Sequence, residues 1–253
     1  MATIPEFVVV IPARYASERL PGKPLQLIGD RTMLQHVWER ATESAAREVI
    51  IATDDTRISD AASAFGAVAQ MTSRHHTSGT DRIAEVASAR NWSDETVIVN
   101  LQGDEPLMPA TLIDQCASLM VDKTADISTL ASPLAEEGHW EDPNVVKVVT
   151  DDHGYALYFS RAPIPFAREA DDRSVALAAA RHHHGLYAYR RAVLARLVAA
   201  QPSPIERAER LEQLRALSLG MRIKVGVPTR RPALGVDTME DLRRAEQALE
   251  ALR

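Results

Sequence analysis

The sequence predicts an α/β protein in which a mostly parallel sheet is flanked by helices, with a β-rich insertion late in the chain. Two patterns support this prediction. In the first half, short apolar segments alternate with amphipathic ones, which is typical of parallel strands joined by helical crossovers. In the second half, three strand-like segments follow one another without long helices between them. We therefore expect one domain over residues 1–253, with a β-rich lobe inserted late.

The first half of the chain supplies the parallel part of the sheet. Its first strand is an apolar run that begins at Phe7, and its first helix repeats apolar residues at helical spacing, for example Leu34 and Trp38. By the same criteria, the predicted strands are residues 7–12, 48–53, 67–71 and 96–101, and the predicted helices are residues 32–44, 55–65, 79–90 and 110–122.

The second half of the chain lacks the regular alternation of strand and helix that the first half shows. Its predicted strands are residues 126–132, 145–150, 155–160, 185–189 and 222–227, and its predicted helices are residues 191–200, 205–219 and 238–252. Residues 161–181 contain Pro163, Pro165 and an acidic stretch at 169–172, so we expect an irregular excursion there.

Composition limits the classes of function. The 253 residues carry a net charge of -6, which argues against general nucleic-acid binding. The apolar runs are far shorter than the ~20 residues that span a bilayer, so no membrane insertion is expected. Cys116 is the single cysteine, which excludes an intramolecular disulfide and fits a reducing, cytoplasmic location.

The segment after the first strand concentrates positive charge. Arg14, Arg19 and Lys23 fall within ten residues, and Ser17 adds a hydroxyl donor. Guanidinium groups bind phosphate oxygens in pairs and lysine acts as a point charge, so this loop is a candidate phosphate site. A basic surface loop is the alternative. The G-x-x-x-x-G-K-[ST] pattern of a Walker A loop is absent.

Two acidic positions are candidate metal ligands. Asp104 follows the fourth predicted strand and Gly103, with Glu105 beside it. Magnesium prefers oxygen ligands, and one or two carboxylates plus substrate phosphates suffice to hold it. Asp237 precedes the last helix, where it or Thr238 can also be explained as a helix N-cap with Glu240 completing a capping box.

Three adjacent histidines, His182, His183 and His184, suggest a zinc site at first sight. We reject this interpretation because neighbouring side chains on a strand point to opposite faces, and because no cysteine cluster completes such a site.

Several motifs together resemble one family. The string P-A-R-Y-A-S-E-R-L-P-G-K-P-L at 12–25 looks like the signature of the 3-deoxy-manno-octulosonate (Kdo) cytidylyltransferases. V-N-L-Q-G-D-E-P at 99–106, G-V-D-T-M-E-D-L at 235–242 and H-T-S-G-T-D-R at 76–82 match the same family in order. The sequence departs from the family at His75, where aspartate is usual, and at Ser73, where arginine is frequent.

The resemblance implies a role for each matched residue. It implies nucleotide binding by Ala13, Arg14, Ser17, Arg19, Lys23, His76, Ser78, Gly79 and Arg82. It implies sugar binding by Gln102, Arg161, His183, Tyr187, Glu212 and Gln213. It implies that Asp104 and Asp237 share Mg²⁺ and that Lys23, Arg14, Asp104 and Asp237 are catalytic.

The resemblance also implies an activity and an assembly. The expected fold is a Rossmann-like nucleotidyltransferase core related to the GT-A glycosyltransferases. The expected reaction transfers CMP from CTP to the anomeric hydroxyl of Kdo, for lipopolysaccharide biosynthesis, in a homodimer joined through 155–190. The alternatives are a cytidylyltransferase for another ulosonate, such as a sialic acid or an amino-substituted Kdo, and a non-catalytic nucleotide-binding protein.

Overall fold

The structure is a computed structural model that describes residues 4–16, 20–134, 138–230, 232 and 235–251. Its strands are β1 (Phe7–Ala13), β2 (Leu27–Ile28), β3 (Arg31–Thr32), β4 (Glu48–Thr53), β5 (Val68–Met71), β6 (Val97–Asn100), β7 (Ile127–Pro133), β8 (Lys147–Thr150), β9 (Ala156–Ser160), β10 (Arg181–Arg190) and β11 (Ile223–Gly226).

Helices fill most of the segments between strands. They are α1 (Met33–Thr42), α2 (Thr56–Ala64), α3 (Gly79–Ala89), α4 (Ala110–Ser118), α5 (Gly138–Glu141), α6 (Arg173–Ala179), α7 (Arg191–Ala199), α8 (Pro204–Glu209), α9 (Gln213–Ser218) and α10 (Met239–Glu250). Short 3-10 turns lie at Lys23–Leu25, Leu119–Val121 and Ala170–Asp172.

One nine-stranded sheet organises the part of the chain that the structure describes. Its main path runs β11-β7-β10-β6-β1-β4-β5, and β8 pairs with both β10 and β9. The pairs β6/β1, β1/β4, β4/β5 and β7/β11 are parallel, whereas β10 and β8 pair antiparallel with their neighbours. The predicted α/β class is confirmed. Residues 155–190, where the insertion is predicted, contain β9, α6 and β10.

Side-chain alternation along β1 divides the core into two layers. Phe7, Val9 and Ile11 pack on one face of the sheet with α1 and α4, while Val8 and Val10 pack on the other with α3 and α7. All five side chains are buried. A strand covered on both faces reads as a continuous apolar run, which is why β1 was predictable.

The structure corrects two predicted segments. The predicted irregular excursion at 161–181 contains α6, and β10 already begins at Arg181. The predicted helix 205–219 is two helices, because Arg210 adopts a left-handed backbone with φ of 54° and ends α8. That conformation is uncommon for residues other than glycine.

Within the described residues, no helix is both long enough and apolar enough to cross a membrane.

Candidate active site

The site lies where β1 and β6 end side by side at the same edge of the sheet. This is the edge at which open α/β sheets bind ligands. The two loops that follow these strands touch directly. A Cβ placed on Gly103 would lie 2.9 Å from the Pro12 carbonyl oxygen, so only glycine permits this approach.

An open cleft of about 900 Å³ occupies this edge. It is lined by Pro12, Ala13, Arg14, Ala16, Lys23, Pro24, His76, Thr77, Ser78, Gly79, Arg82, Gln102, Gly103, Asp104 and Asp237. The structure thus brings together ten of the predicted site residues from five separate stretches of sequence. Predicted residues Ser17 and Arg19 lie outside the described residues.

Lys23 joins the two predicted metal ligands. Its ammonium donates to Asp104 Oδ2 at 2.7 Å and to Asp237 Oδ1 at 2.9 Å. The Lys23 side chain is 12% exposed, whereas those of Asp104 and Asp237 are 36% and 47% exposed. Two carboxylates therefore share one cation at the floor of the cleft and remain open to a ligand.

Backbone contacts hold Asp237 beside Asp104. The Val236 N–H donates to the Asp104 carbonyl oxygen at 2.8 Å. A Cβ on Gly235 would lie 3.1 Å from Glu105 Oε1, a tight contact that favours glycine. These two contacts fix the segment before α10 against the loop after β6.

The capping alternative for Asp237 does not hold. Thr238 is the N-cap of α10, and its partner in the capping box is Asp241, where the sequence suggested Glu240. The Asp237 carboxylate consequently points to Lys23.

Glu105 lies under this site. Its Oε2 atom is buried and has no hydrogen-bond partner among the described residues. Burial raises the pKa of the Glu105 carboxyl to about 8, with a further contribution from the charge of Asp104. The charge of Lys23 offsets part of this rise, and Glu105 Oε1 lies against the backbone at Gly235.

The opposite wall of the cleft comes from the start of α3. Ser78 caps this helix through a capping box with Asp81. Arg82 is 4% exposed, pairs with Asp54 at 3.1 Å and donates to Thr72. These contacts fix the guanidinium at the cleft wall before any ligand binds.

A second cavity, of about 150 Å³, adjoins the cleft. Gly79 and Gln102 line both cavities, and the remaining lining residues are Thr80, Asn100, Ile127, Tyr187, Tyr189, Leu197, Glu212 and Gln213. Glu212 accepts hydrogen bonds from Ser78 Oγ at 3.2 Å and Thr80 Oγ1 at 2.8 Å. Burial raises the pKa of the Glu212 carboxyl. This small polar pocket collects four of the six predicted sugar residues: Gln102, Tyr187, Glu212 and Gln213.

The other two predicted sugar residues, Arg161 and His183, line neither cavity. Arg161 donates to the carbonyl oxygens of Glu209 at 2.8 Å and Pro143 at 2.9 Å. His183 is buried behind the pocket, with its ring 5.3 Å from that of Tyr187. Burial lowers the pKa of His183 to about 3, so its ring is neutral at physiological pH.

The three histidines alternate in direction as their strand requires. The rings of His182 and His184 lie together with centroids 4.8 Å apart, while His183 faces Phe159 on the other side of β10.

Sequence reasoning missed three polar residues of the smaller pocket. Thr80 and Asn100 were present in the matched motifs at 76–82 and 99–106, and Tyr189 stands two residues after Tyr187. Strand periodicity could have found Tyr189, because it shares a face of β10 with Tyr187.

The donor set at the cleft fits a magnesium ion. Among the described residues, no group of three or more His, Cys, Asp or Glu side chains is arranged to hold a metal. Asp104 and Asp237 both contact the Lys23 ammonium, so their carboxylates lie close enough to share a cation. Magnesium commonly uses two carboxylates plus phosphate and water oxygens.

Comparison with known proteins agrees with this geometry. Residues 8–223 match a sequence model described as cytidylyltransferase. A 3-deoxy-manno-octulosonate cytidylyltransferase from Thioalkalivibrio sulfidiphilus is 52% identical over 97% of this chain and 99% of that protein. One from Haemophilus ducreyi is 49% identical over 96% of this chain and 98% of that protein.

Solved structures give the same result. A CMP:2-keto-3-deoxy-manno-octonic acid synthetase complexed with CTP superimposes with a TM-score of 0.90 at 40% identity, over 98% of this chain and all of that one. A 4-diphosphocytidyl-2C-methyl-D-erythritol synthase from Anaerococcus prevotii, at 14% identity and a TM-score of 0.63 over 97% of this chain and 99% of that one, shares the fold.

These matches identify the chain as a cytidylyltransferase, which is the class of enzyme that its fold and basic cleft indicate. Within that class, the chain belongs to the family of 3-deoxy-manno-octulosonate cytidylyltransferases. The resemblance of its motifs to this family is confirmed.

Proposed function

We propose that this enzyme transfers CMP from CTP to the anomeric hydroxyl of Kdo and releases pyrophosphate. The observation that carries the proposal is the pair of carboxylates that Lys23 bridges, at the floor of a cleft lined by Arg14 and Arg82 and next to a small polar pocket. The cleft suits a nucleoside triphosphate, and the pocket suits a polyhydroxylated acceptor.

In this proposal, Arg14 and Lys23 bind the phosphates, and the wall formed by Ser78, Gly79 and Arg82 holds the nucleoside. Asp104 and Asp237 would hold Mg²⁺, which supplies neutralisation of phosphate charge when bound. Lys23 then exchanges its two carboxylate partners for phosphate oxygens. Fixed cations aimed at the departing pyrophosphate stabilise the charge that develops there.

The acceptor occupies the smaller pocket. Glu212 accepts hydrogen bonds from sugar hydroxyls, and the Gln102 and Gln213 amides add polar contacts. Gln102 lines both cavities, so an acceptor held there has its reacting hydroxyl next to the nucleotide. Holding both reactants in attack geometry supplies much of the rate acceleration.

The proposal extends to location and assembly. We propose a cytoplasmic enzyme that supplies an activated sugar for lipopolysaccharide biosynthesis and acts as a homodimer through the lobe at 155–190. Leu157, Phe166 and Val175 support the dimer, because these apolar side chains are 62%, 83% and 69% exposed in the single chain. Sedimentation of the wild-type protein should give twice the chain mass, and Val175→Glu should shift the protein toward the monomer. A monomeric wild-type protein would contradict the proposed dimer.

The activity is tested by pyrophosphate release from CTP and Mg²⁺, with Kdo, a sialic acid and an amino-substituted Kdo compared side by side. We expect the highest kcat/KM with Kdo. A preference for another ulosonate would reassign the acceptor. CTP binding measured by calorimetry, with no pyrophosphate released from CTP in the presence of any of these acceptors, would support a non-catalytic role.

A further inference from the structure

Asn100 is a polar residue buried at the floor of the smaller pocket. The proposed reaction assigns it no contact with CTP or with the acceptor. It is 2% exposed and is the last residue of β6. Its backbone is paired on both sides, with Val10 of β1 and with Tyr187 of β10. The position of Asn100 is therefore set by the centre of the sheet.

Gln102, unlike Asn100, lies in a loop and not in the sheet. It follows the end of β6, in the loop that leads to Asp104, and its side chain lies at the junction of the two cavities. Gln102 Nε2 donates to Asn100 Oδ1 at 2.8 Å. A glutamine side chain has several rotatable bonds, so it loses much conformational entropy when a ligand orders it. The hydrogen bond to Asn100 orders it in advance.

Asn100 is itself part of a polar layer that lines the pocket. Burial raises the pKa of the Tyr189 hydroxyl, with a smaller contribution from the charge of Glu212, and a hydrogen bond from Asn100 offsets part of that rise. Thr80, which lines the same pocket, donates to Glu212. A buried polar group must keep its partners, so these side chains hold one another in a defined arrangement.

We propose that Asn100 is a positioning residue, which holds the Gln102 side chain at the junction of the two cavities and so aligns the acceptor sugar with the nucleotide. This inference rests on the proposed function, because it takes the smaller cavity as the acceptor site. Asn100 acts through Gln102 and makes no contribution to CTP binding.

The test is a double-mutant cycle with Asn100→Leu, Gln102→Leu and the double variant, assayed with CTP, Mg²⁺ and Kdo. Leucine has the same number of side-chain heavy atoms as asparagine and removes its hydrogen bonds to Gln102 and Tyr189. We expect Asn100→Leu to lower kcat/KM for Kdo about ten-fold, the effect of one lost hydrogen bond. CTP affinity, measured by calorimetry without Kdo, should stay at the wild-type value.

The cycle separates positioning from a general structural effect. Asn100→Leu should cost clearly less when Gln102 is already leucine, because the partner it positions is gone and only the contact with Tyr189 is lost. Additive losses in the double variant would overturn the proposal, and so would a wild-type kcat/KM for Asn100→Leu. If Asn100→Leu unfolds, Asn100→Thr serves in its place, since threonine suits a strand but is too short to reach the Gln102 amide.

Failure of the proposed function gives a different result. A wild-type enzyme that releases no pyrophosphate with Kdo contradicts the proposed function itself. An active wild-type enzyme whose Asn100→Leu variant keeps the wild-type kcat/KM for Kdo contradicts only the positioning role.

Discussion

The ammonium of Lys23 donates a 2.9 Å hydrogen bond to the carboxylate of Asp237, a residue 214 positions later in the chain. The same nitrogen reaches Asp104 at 2.7 Å. One cation therefore ties the loop after β1 to the loop after β6 and to the start of α10. In the proposed function, CTP binds Lys23 and a metal ion binds the two aspartates. Substitutions at these three residues should therefore affect ligand binding more strongly than folding.

Lys23→Met should abolish most of the activity. The substitution removes the cation and leaves the aliphatic part of the side chain. Losing one fixed electrostatic group of an active site costs about 10²–10³ in kcat, and we expect a fall of that size. Lys123→Met, at an exposed lysine, is the matched control and should keep wild-type kcat. Equal activity in the two variants would remove Lys23 from the mechanism.

Asp237→Asn should raise the magnesium concentration needed for half-maximal activity. Losing an outer-shell partner of a metal site typically costs 10–100-fold, so losing a direct ligand should cost about 100-fold or more. Titration of pyrophosphate release with Mg²⁺ measures this change. Asp60→Asn, an exposed carboxylate on α2, is the control. A magnesium dependence unchanged in Asp237→Asn would exclude this residue as a ligand.

Gly103→Ala should lower activity by separating the two loops of the cleft. The added Cβ would lie 2.9 Å from the Pro12 carbonyl oxygen, so the backbone must move. A displacement of about 1 Å near reacting groups can cost about 100-fold in rate, which is the effect we expect in kcat/KM. Gly138→Ala is the control, since its Cβ meets nothing within 4 Å. A Gly103→Ala enzyme as active as this control would show that the close approach is unnecessary.

Asp122 should make stability depend on pH. Hydrogen bonds from Tyr155 and then Thr124 lower the pKa of the Asp122 carboxyl to about 2. Its folded pKa is below the unfolded value of about 3.9, so the charged form stabilises the fold above that pH and the contribution fades as pH falls toward 2.

The side chain of Asp122 is 33% exposed, so solvent screening reduces the effect to about 1 kcal/mol. We expect Asp122→Asn to lower the free energy of unfolding in urea by that amount at pH 7, and by less at pH 3. If Asp122→Asn lowers the free energy of unfolding equally at pH 7 and pH 3, the lowered pKa of Asp122 is contradicted.

The sequence predicted the strands and helices near the cleft well, because β1, β4 and β6 are buried apolar runs. It could not predict the break between α8 and α9, where Arg210 takes a left-handed backbone without a glycine to mark it. The local sequence around Asp237 was compatible with a helix cap. Only its long-range contacts, such as the bond from Val236 to Asp104, separate the two interpretations. The role of Asn100 depends on which side chains meet at the pocket floor, and strand periodicity alone does not supply that.

The most direct test of the site is a crystal structure of the enzyme with CTP and Mg²⁺. We expect the triphosphate in the cleft on Arg14 and Lys23, with the metal ion between Asp104 and Asp237 and the Lys23 ammonium moved from these carboxylates to phosphate oxygens. A nucleotide bound elsewhere, or a metal ion that touches neither aspartate, would contradict this account.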